Sequence, residues 1–162
     1  MKRKLLYFAF FILVLYLGRG MLFRALVSYQ TTGERAVRSM TDIDIKETNL
    51  PTDQSLSFVA DKLSFYTGPC NPDPNVSIQT GQANCVGYAA MYASLMAAHP
   101  DYKVKHCVGK IYVLGMDVHQ LFDHPFFHDH DFNQIIYRTT GKIMLVDPSV
   151  YDMLGVVEVR AK

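Results

Sequence analysis

Cys85, His130 and Asp147 are the residue types of a thiol nucleophile, its base and an orienting carboxylate, and each stands at the end of a segment with a clear structural signature. Cys85 directly follows Asn84, a good N-cap, and opens an alanine-, leucine- and methionine-rich run that stops before Pro100. The unpaired N–H groups and the dipole at such a helix start favour a thiolate, the nucleophilic form. A thiolate nucleophile needs a base, and that base needs an acceptor to hold its ring. His130 begins one strand-like run and Asp147 ends the next, just before Pro148. Thr139-Thr140-Gly141 joins the two runs as a hairpin-length loop, so their outer ends lie side by side and make His130 and Asp147 neighbours. If the sheet packs on the cysteine helix, all three meet. Gln79 and Gln82, six and three residues before Cys85, offer a side-chain amide to join the Cys85 backbone N–H in an oxyanion site. Gly81 and Gly87 suit close backbone approach near the nucleophile, or serve as ordinary turn and packing glycines.

The elements that must position these residues are legible in outline. Asp53 is a plausible N-cap for a helix to about Tyr66, with Leu56, Val59, Ala60, Leu63 and Tyr66 on one face. Gly68-Pro69 stops it, and residues 69–81, with three prolines and no period, read as loop. The cysteine helix is apolar nearly all round, as suits a central helix buried on several sides. Strand patterns follow at Lys103–Leu114, Asp131–Arg138 and Lys142–Val146, with a His- and Asp-rich loop over residues 117–130. Residues 28–52 are polar and irregular and read as a tether, and residues 150–162 carry no usable signal.

The order of the segments resembles the transglutaminase-like branch of the papain-like cysteine enzymes. The matching pieces are GQANCVGYAAMYASLM at 81–96, HDFNQIIY at 130–137 and IMLVDPS at 143–149. The similarity spans about residues 53–150. It implies an α+β fold, a papain-like core in which a central Cys-bearing helix packs on a small antiparallel β-sheet, preceded here by an N-terminal hydrophobic helix. It also implies that Cys85 is the nucleophile, His130 the base and acid, and Asp147 the orienting carboxylate. The implied activity is acyl transfer or hydrolysis at an amide bond of a protein or peptide substrate through a Cys85 thioester, with no metal or organic cofactor. The chain departs from the family at Asp131-Phe132, where a small residue and an aromatic, often tryptophan, usually follow the histidine. It also has Gln134 where a further acid is common, and it contains no tryptophan.

Other readings remain beside this one. His128 rivals His130, two residues earlier on the same side of an extended chain. Phe126, Phe127 and Phe132 pack the loop down or form a substrate wall, with Phe132 the candidate substrate contact. Asp123, His124, His128, Asp129, His130 and Asp131 are zinc-compatible donor types, but without HExxH or paired CxxC spacing they make a weak metal signal. A catalytically inactive peptide- or glycan-binding module is the reading from a different class. Cys70 and Cys107 are a possible disulfide pair if Cys85 is the free thiol; alternatively all three are unpaired.

Length and charge bound these choices. The 162 residues, 49% hydrophobic and 19% charged, make one folded domain of residues 53–162 with an N-terminal extension. Residues 1–30 carry +5 and the remainder −4, so the body has no basic stripe for a nucleic-acid partner. Lys2-Arg3-Lys4 precedes an uncharged apolar run, Leu5 to Gly18, about 21 Å long as a helix. It lacks an A-x-A-like cleavage pattern, and apolar sequence continues beyond Arg19. Residues 1–27 therefore read as an uncleaved membrane anchor, with the domain outside the cytoplasm. The alternative is a signal peptide and a secreted or periplasmic domain.

Overall fold

The computed structural model describes residues 16–41, 49–122 and 127–162. In chain order its elements are α1 (Arg19–Leu26), β1 (Val27–Arg35), α2 (Thr52–Lys62), β2 (Ser64–Phe65), α3 (Pro74–Thr80), β3 (Gln82–Ala83), α4 (Cys85–Ala97), β4 (Tyr102–Val113), β5 (Met116–Asp117), a 3-10 turn (Val118–Leu121), β6 (His130–Tyr137), β7 (Ile143–Val146) and α5 (Pro148–Leu154). The fold is α+β. An antiparallel sheet runs in the order β1-β4-β6-β7, with β5 folded back on β4, and β2 and β3 form a separate parallel pair.

The two faces of the sheet bury different cores, because successive strand residues point to opposite sides. Ile135, Met144 and Val146 face α2 and α4, where Leu56, Val59, Tyr88, Met91, Tyr92 and Leu95 complete the larger core. On that face the Asn133 side-chain amide donates to the Ala89 carbonyl at 3.0 Å and ties β6 to α4. The opposite face carries Tyr29, Cys107, Phe132 and Leu145, covered by Val150, Val156 and Val159. The C-terminal segment straps both edges of the sheet. Val159 N–H donates to Leu145 O of β7 at 2.9 Å, then Tyr29 N–H of β1 donates to Arg160 O at 2.8 Å. The edge strands are thereby covered rather than left open for pairing with another chain.

The structure departs from the sequence expectations in several places. Residues 28–35, expected in a tether, form β1 together with Val27: Val27 and Tyr29 point into the second core, while the polar residues that followed no helical period lie on its exposed stretch. α2 starts at Thr52 with Pro51 in the cap position, and the chain turns extended at Leu63. Residues 74–80, expected as loop, form α3. The Asp73 carboxylate caps it by accepting Asn75 N–H at 2.9 Å, and Pro74 fits the first turn, where no N–H is needed. Gly81, at φ 67°, ends it in the left-handed conformation.

The membrane-anchor expectation is overturned. Among the described residues no helix is long and apolar enough to cross a membrane. α1 has only eight residues, and at Val27 the chain leaves the helix for the sheet, so the helix does not continue past that point. Residues 5–15 of the apolar run, and with them most of the expected N-terminal hydrophobic helix, lie outside the described residues.

Candidate active site

Asp147 is completely buried and spends both carboxylate oxygens. One oxygen caps α5, accepting the Ser149 and Val150 N–H groups at 3.1 Å each and the Ser149 hydroxyl at 2.7 Å. The other accepts His130 Nε2–H at 2.6 Å and the Tyr29 hydroxyl at 2.7 Å. The turn role and the histidine-orienting role thus coexist on separate oxygens. Burial by itself would raise this carboxyl; the adjacent His130 charge and the hydrogen bonds of His130, Ser149 and Tyr29 outweigh it and hold it below the ordinary range.

His130 opens β6 opposite Gly109 of β4, with its side chain 15% exposed. Its Nε2 is committed to Asp147, which leaves Nδ1 as the ring nitrogen for the hydrogen bond it shares with the Cys85 side chain. Burial would lower this imidazole, but the charge and hydrogen bond of Asp147, reinforced by Cys85, lift it well above the usual histidine value. An imidazole held between a carboxylate and a thiol is placed to exchange a proton with that sulfur.

Cys85 is the first residue of α4. The Asn84 side-chain oxygen accepts Val86 N–H at 3.1 Å and Gly87 N–H at 3.4 Å, and Tyr88 N–H bonds Asn84 O. The Cys85 N–H is the first-turn donor left without an acceptor among the described residues. Gly87 lets α3 approach: a β-carbon there would come within 2.7 Å of the Ala83 β-carbon and 2.9 Å of the Ser77 hydroxyl.

Tyr29 is the member of this cluster that sequence reasoning missed. It comes from β1, is fully buried, and packs edge-on against both His130 and Phe132, with centroids 6.0 and 5.2 Å apart. Burial, then the Asp147 charge, pushes its hydroxyl well above the usual tyrosine value and keeps it a donor. The inward alternation of Val27 and Tyr29 was the available signal, hidden by the polar TTGER that follows.

Several expected site residues go elsewhere. Phe132, the proposed substrate contact, is completely buried in the second core against Tyr29, because it sits two residues along β6 from His130 on the inward face. Gln79 is exposed on α3 and Gln82 exposed on β3. Neither side chain hydrogen-bonds Cys85 or His130 among the described residues, so the structure does not bring an oxyanion amide from them to the thiol. His128 is exposed, and it is His130 that meets Asp147. The zinc-compatible stretch is split: His130 turns to Asp147 and Asp131 to His106 and Arg35, while Asp123 and His124 lie outside the described residues. Among the described residues no three His, Cys, Asp or Glu side chains are grouped to hold a metal. Cys70, Cys85 and Cys107 are all free thiols, so Cys70 and Cys107 are not paired.

No family model, curated protein or solved structure matches the chain.

Proposed function

We propose that this chain is a transglutaminase-like cysteine enzyme with a papain-like core, acting on an amide bond of a protein or peptide substrate through a Cys85 thioester. The observation that carries the reading is His130, held by Asp147 through Nε2 and bonded to Cys85 at the start of a helix. The Cys85 sulfur attacks the amide carbonyl carbon, and the new C–S bond places negative charge on the carbonyl oxygen. The uncommitted Cys85 N–H is a donor for that oxygen. His130 Nδ1–H gives its proton to the departing nitrogen as the C–N bond breaks, which leaves a neutral imidazole and a thioester. Water, deprotonated by Nδ1, then breaks the C–S bond and restores the thiolate–imidazolium pair. An incoming amine in place of water gives acyl transfer. Asp147 keeps Nε2 protonated throughout and Nδ1 aimed at sulfur.

The test is alkylation by iodoacetamide at pH 6, with the modified cysteine identified by mass spectrometry, in the wild type and in His130→Ala. The expected result is ready labelling of Cys85 in the wild type and a fall of at least about tenfold in the variant, as follows from loss of the imidazolium partner. Equal rates in the two proteins overturn the enzyme reading and leave a binding module.

A further inference from the structure

A second charged cluster lies beside Cys85 on the other face of β6. Asp131 is completely buried, and its carboxylate accepts Arg35 Nε–H at 2.5 Å, Arg35 Nη2–H at 3.1 Å and His106 Nε2–H at 2.7 Å. The strand register fixes this meeting. Arg35 of β1 pairs with His106 of β4, His106 pairs with Asn133 of β6, and Asp131 precedes Asn133 by two residues on the same face. That face abuts α4, and strand and helix run the same way: the side chain of His130, on the opposite face at the very start of β6, reaches Cys85 at the start of the helix, and Asn133 meets Ala89 one turn along. Asp131 therefore stands between the two β6 residues that meet the first turns of α4, and the Arg35 side chain it holds is within electrostatic reach of Cys85.

The arginine is held without being used up. Its bonds to Asp131 occupy two of five N–H donors, and its side chain is 42% exposed while the carboxylate that fixes it is 0% exposed. Burial would raise the Asp131 carboxyl, and the bonds from His106 and Arg35 overcome this and keep it ionised. Solvent-exposed Asp129 also lies within electrostatic reach of Arg35. A guanidinium fixed by a buried carboxylate, with outward donors free, is suited to bind an anion with planar oxygens at little entropic cost. We infer that Arg35 is a specificity residue that binds a substrate carboxylate next to the amide attacked by Cys85, with Asp131 and His106 as its positioning residues. The inference rests on the function proposed above. The substrate class it names is a peptide with a carboxylate close to the reacting carbonyl, supplied by a C-terminus or by an acidic side chain.

The test compares alkylation of Cys85 in the full chain by iodoacetate, which carries a carboxylate, and by iodoacetamide, which does not. Both reagents require the thiolate, so the ratio of their rates cancels any change in thiol ionisation. The expected ratio in the wild type exceeds that of free cysteine. In Arg35→Gln it falls by about tenfold, the scale of one charge-assisted hydrogen bond, while Arg35→Lys keeps part of the preference. Because Arg35→Gln strips the partner from a buried carboxylate, the double variant Arg35→Gln with Asp131→Asn provides the same comparison with the buried charge removed. Protection of Cys85 from iodoacetamide then separates the sources. N-acetyl-Ala-Ala protecting better than its C-terminal amide assigns the terminus, and N-acetyl-Glu-Ala amide protecting better than its Gln analogue assigns the side chain. A ratio indifferent to Arg35, or protection indifferent to both carboxylates, overturns the inference while leaving a reactive, His130-dependent Cys85 intact. A wild-type Cys85 inert to both reagents overturns the enzyme reading as well.

Discussion

Replacing Tyr29 by Phe removes one oxygen from the site and almost nothing else. The hydroxyl donates to the Asp147 oxygen that also receives His130 Nε2–H, while the ring stays packed against Phe132 and His130. A hydrogen bond from a neutral donor to a buried carboxylate contributes roughly 1.5–3 kcal/mol. Asp147 keeps its four other bonds, and the nearly isosteric ring leaves no large cavity, so the expected loss lies toward the lower end, about 1.5–2 kcal/mol at pH 7. The sign of its pH dependence follows from the carboxyl. Asp147 sits below its unfolded value in the native protein, so it contributes stability above an unfolded pKa of about 3.9 that is lost as pH falls through its native value. Without the Tyr29 donor the native value is less depressed. The gap between wild type and variant is therefore full near neutrality and narrows in acid, once the variant's carboxyl, and then that of the wild type, take up a proton. Urea unfolding at pH 7 and at two or three points below pH 4 measures this directly. A difference under about 0.5 kcal/mol at neutrality, or a full difference that persists undiminished into acid, refutes the hydrogen bond as the source of the effect.

Two further outcomes follow from the packing around the cysteines. Gly87→Ala gains about 1 kcal/mol in helix propensity but drives a methyl to 2.7 Å from the Ala83 β-carbon. The expected net result is a loss of about 1–2 kcal/mol by thermal unfolding, partly recovered by adding Ala83→Gly; an unchanged or raised Tm refutes the close approach. Burial pushes the Cys107 thiol up to about 11, so at pH 8 Cys107 stays unmodified by iodoacetamide in the native protein and reacts once urea unfolds it. Native labelling of Cys107 at the rate of the half-buried Cys70 contradicts its placement in the second core.

What the sequence disclosed about this site was whatever local chemistry enforces. Asn84 caps α4 and Cys85 opens it because an Asx oxygen followed by alanine-rich chain has few other stable options, and the helix bounds matched the pattern closely. The hairpin gave β6 and β7 within a residue or two, and with them the meeting of His130 and Asp147, because a short turn sets register by itself. The features that stayed hidden all depend on partners remote in the chain. β1 pairs with a strand some eighty residues later, so its polar exposed stretch looked like a linker. α5 depends on a carboxylate that also holds a histidine, and its seven residues are too few to show a helical period. The surroundings of Phe132 and Asp131 stayed hidden for a related reason. The pleat sends one toward Tyr29 and the other toward α4, and local sequence does not show that both faces of β6 are covered. The same two-sided burial gives the site its character: one face supplies Asp147 and Tyr29 to hold His130, and the other supplies Asp131 and His106 to hold Arg35. β6 thus brings His130 and the carboxylate that anchors Arg35 to the same end of α4, and that convergence makes Arg35 the residue whose removal tests the proposed carboxylate preference separately from the reactivity of the Cys85 thiol.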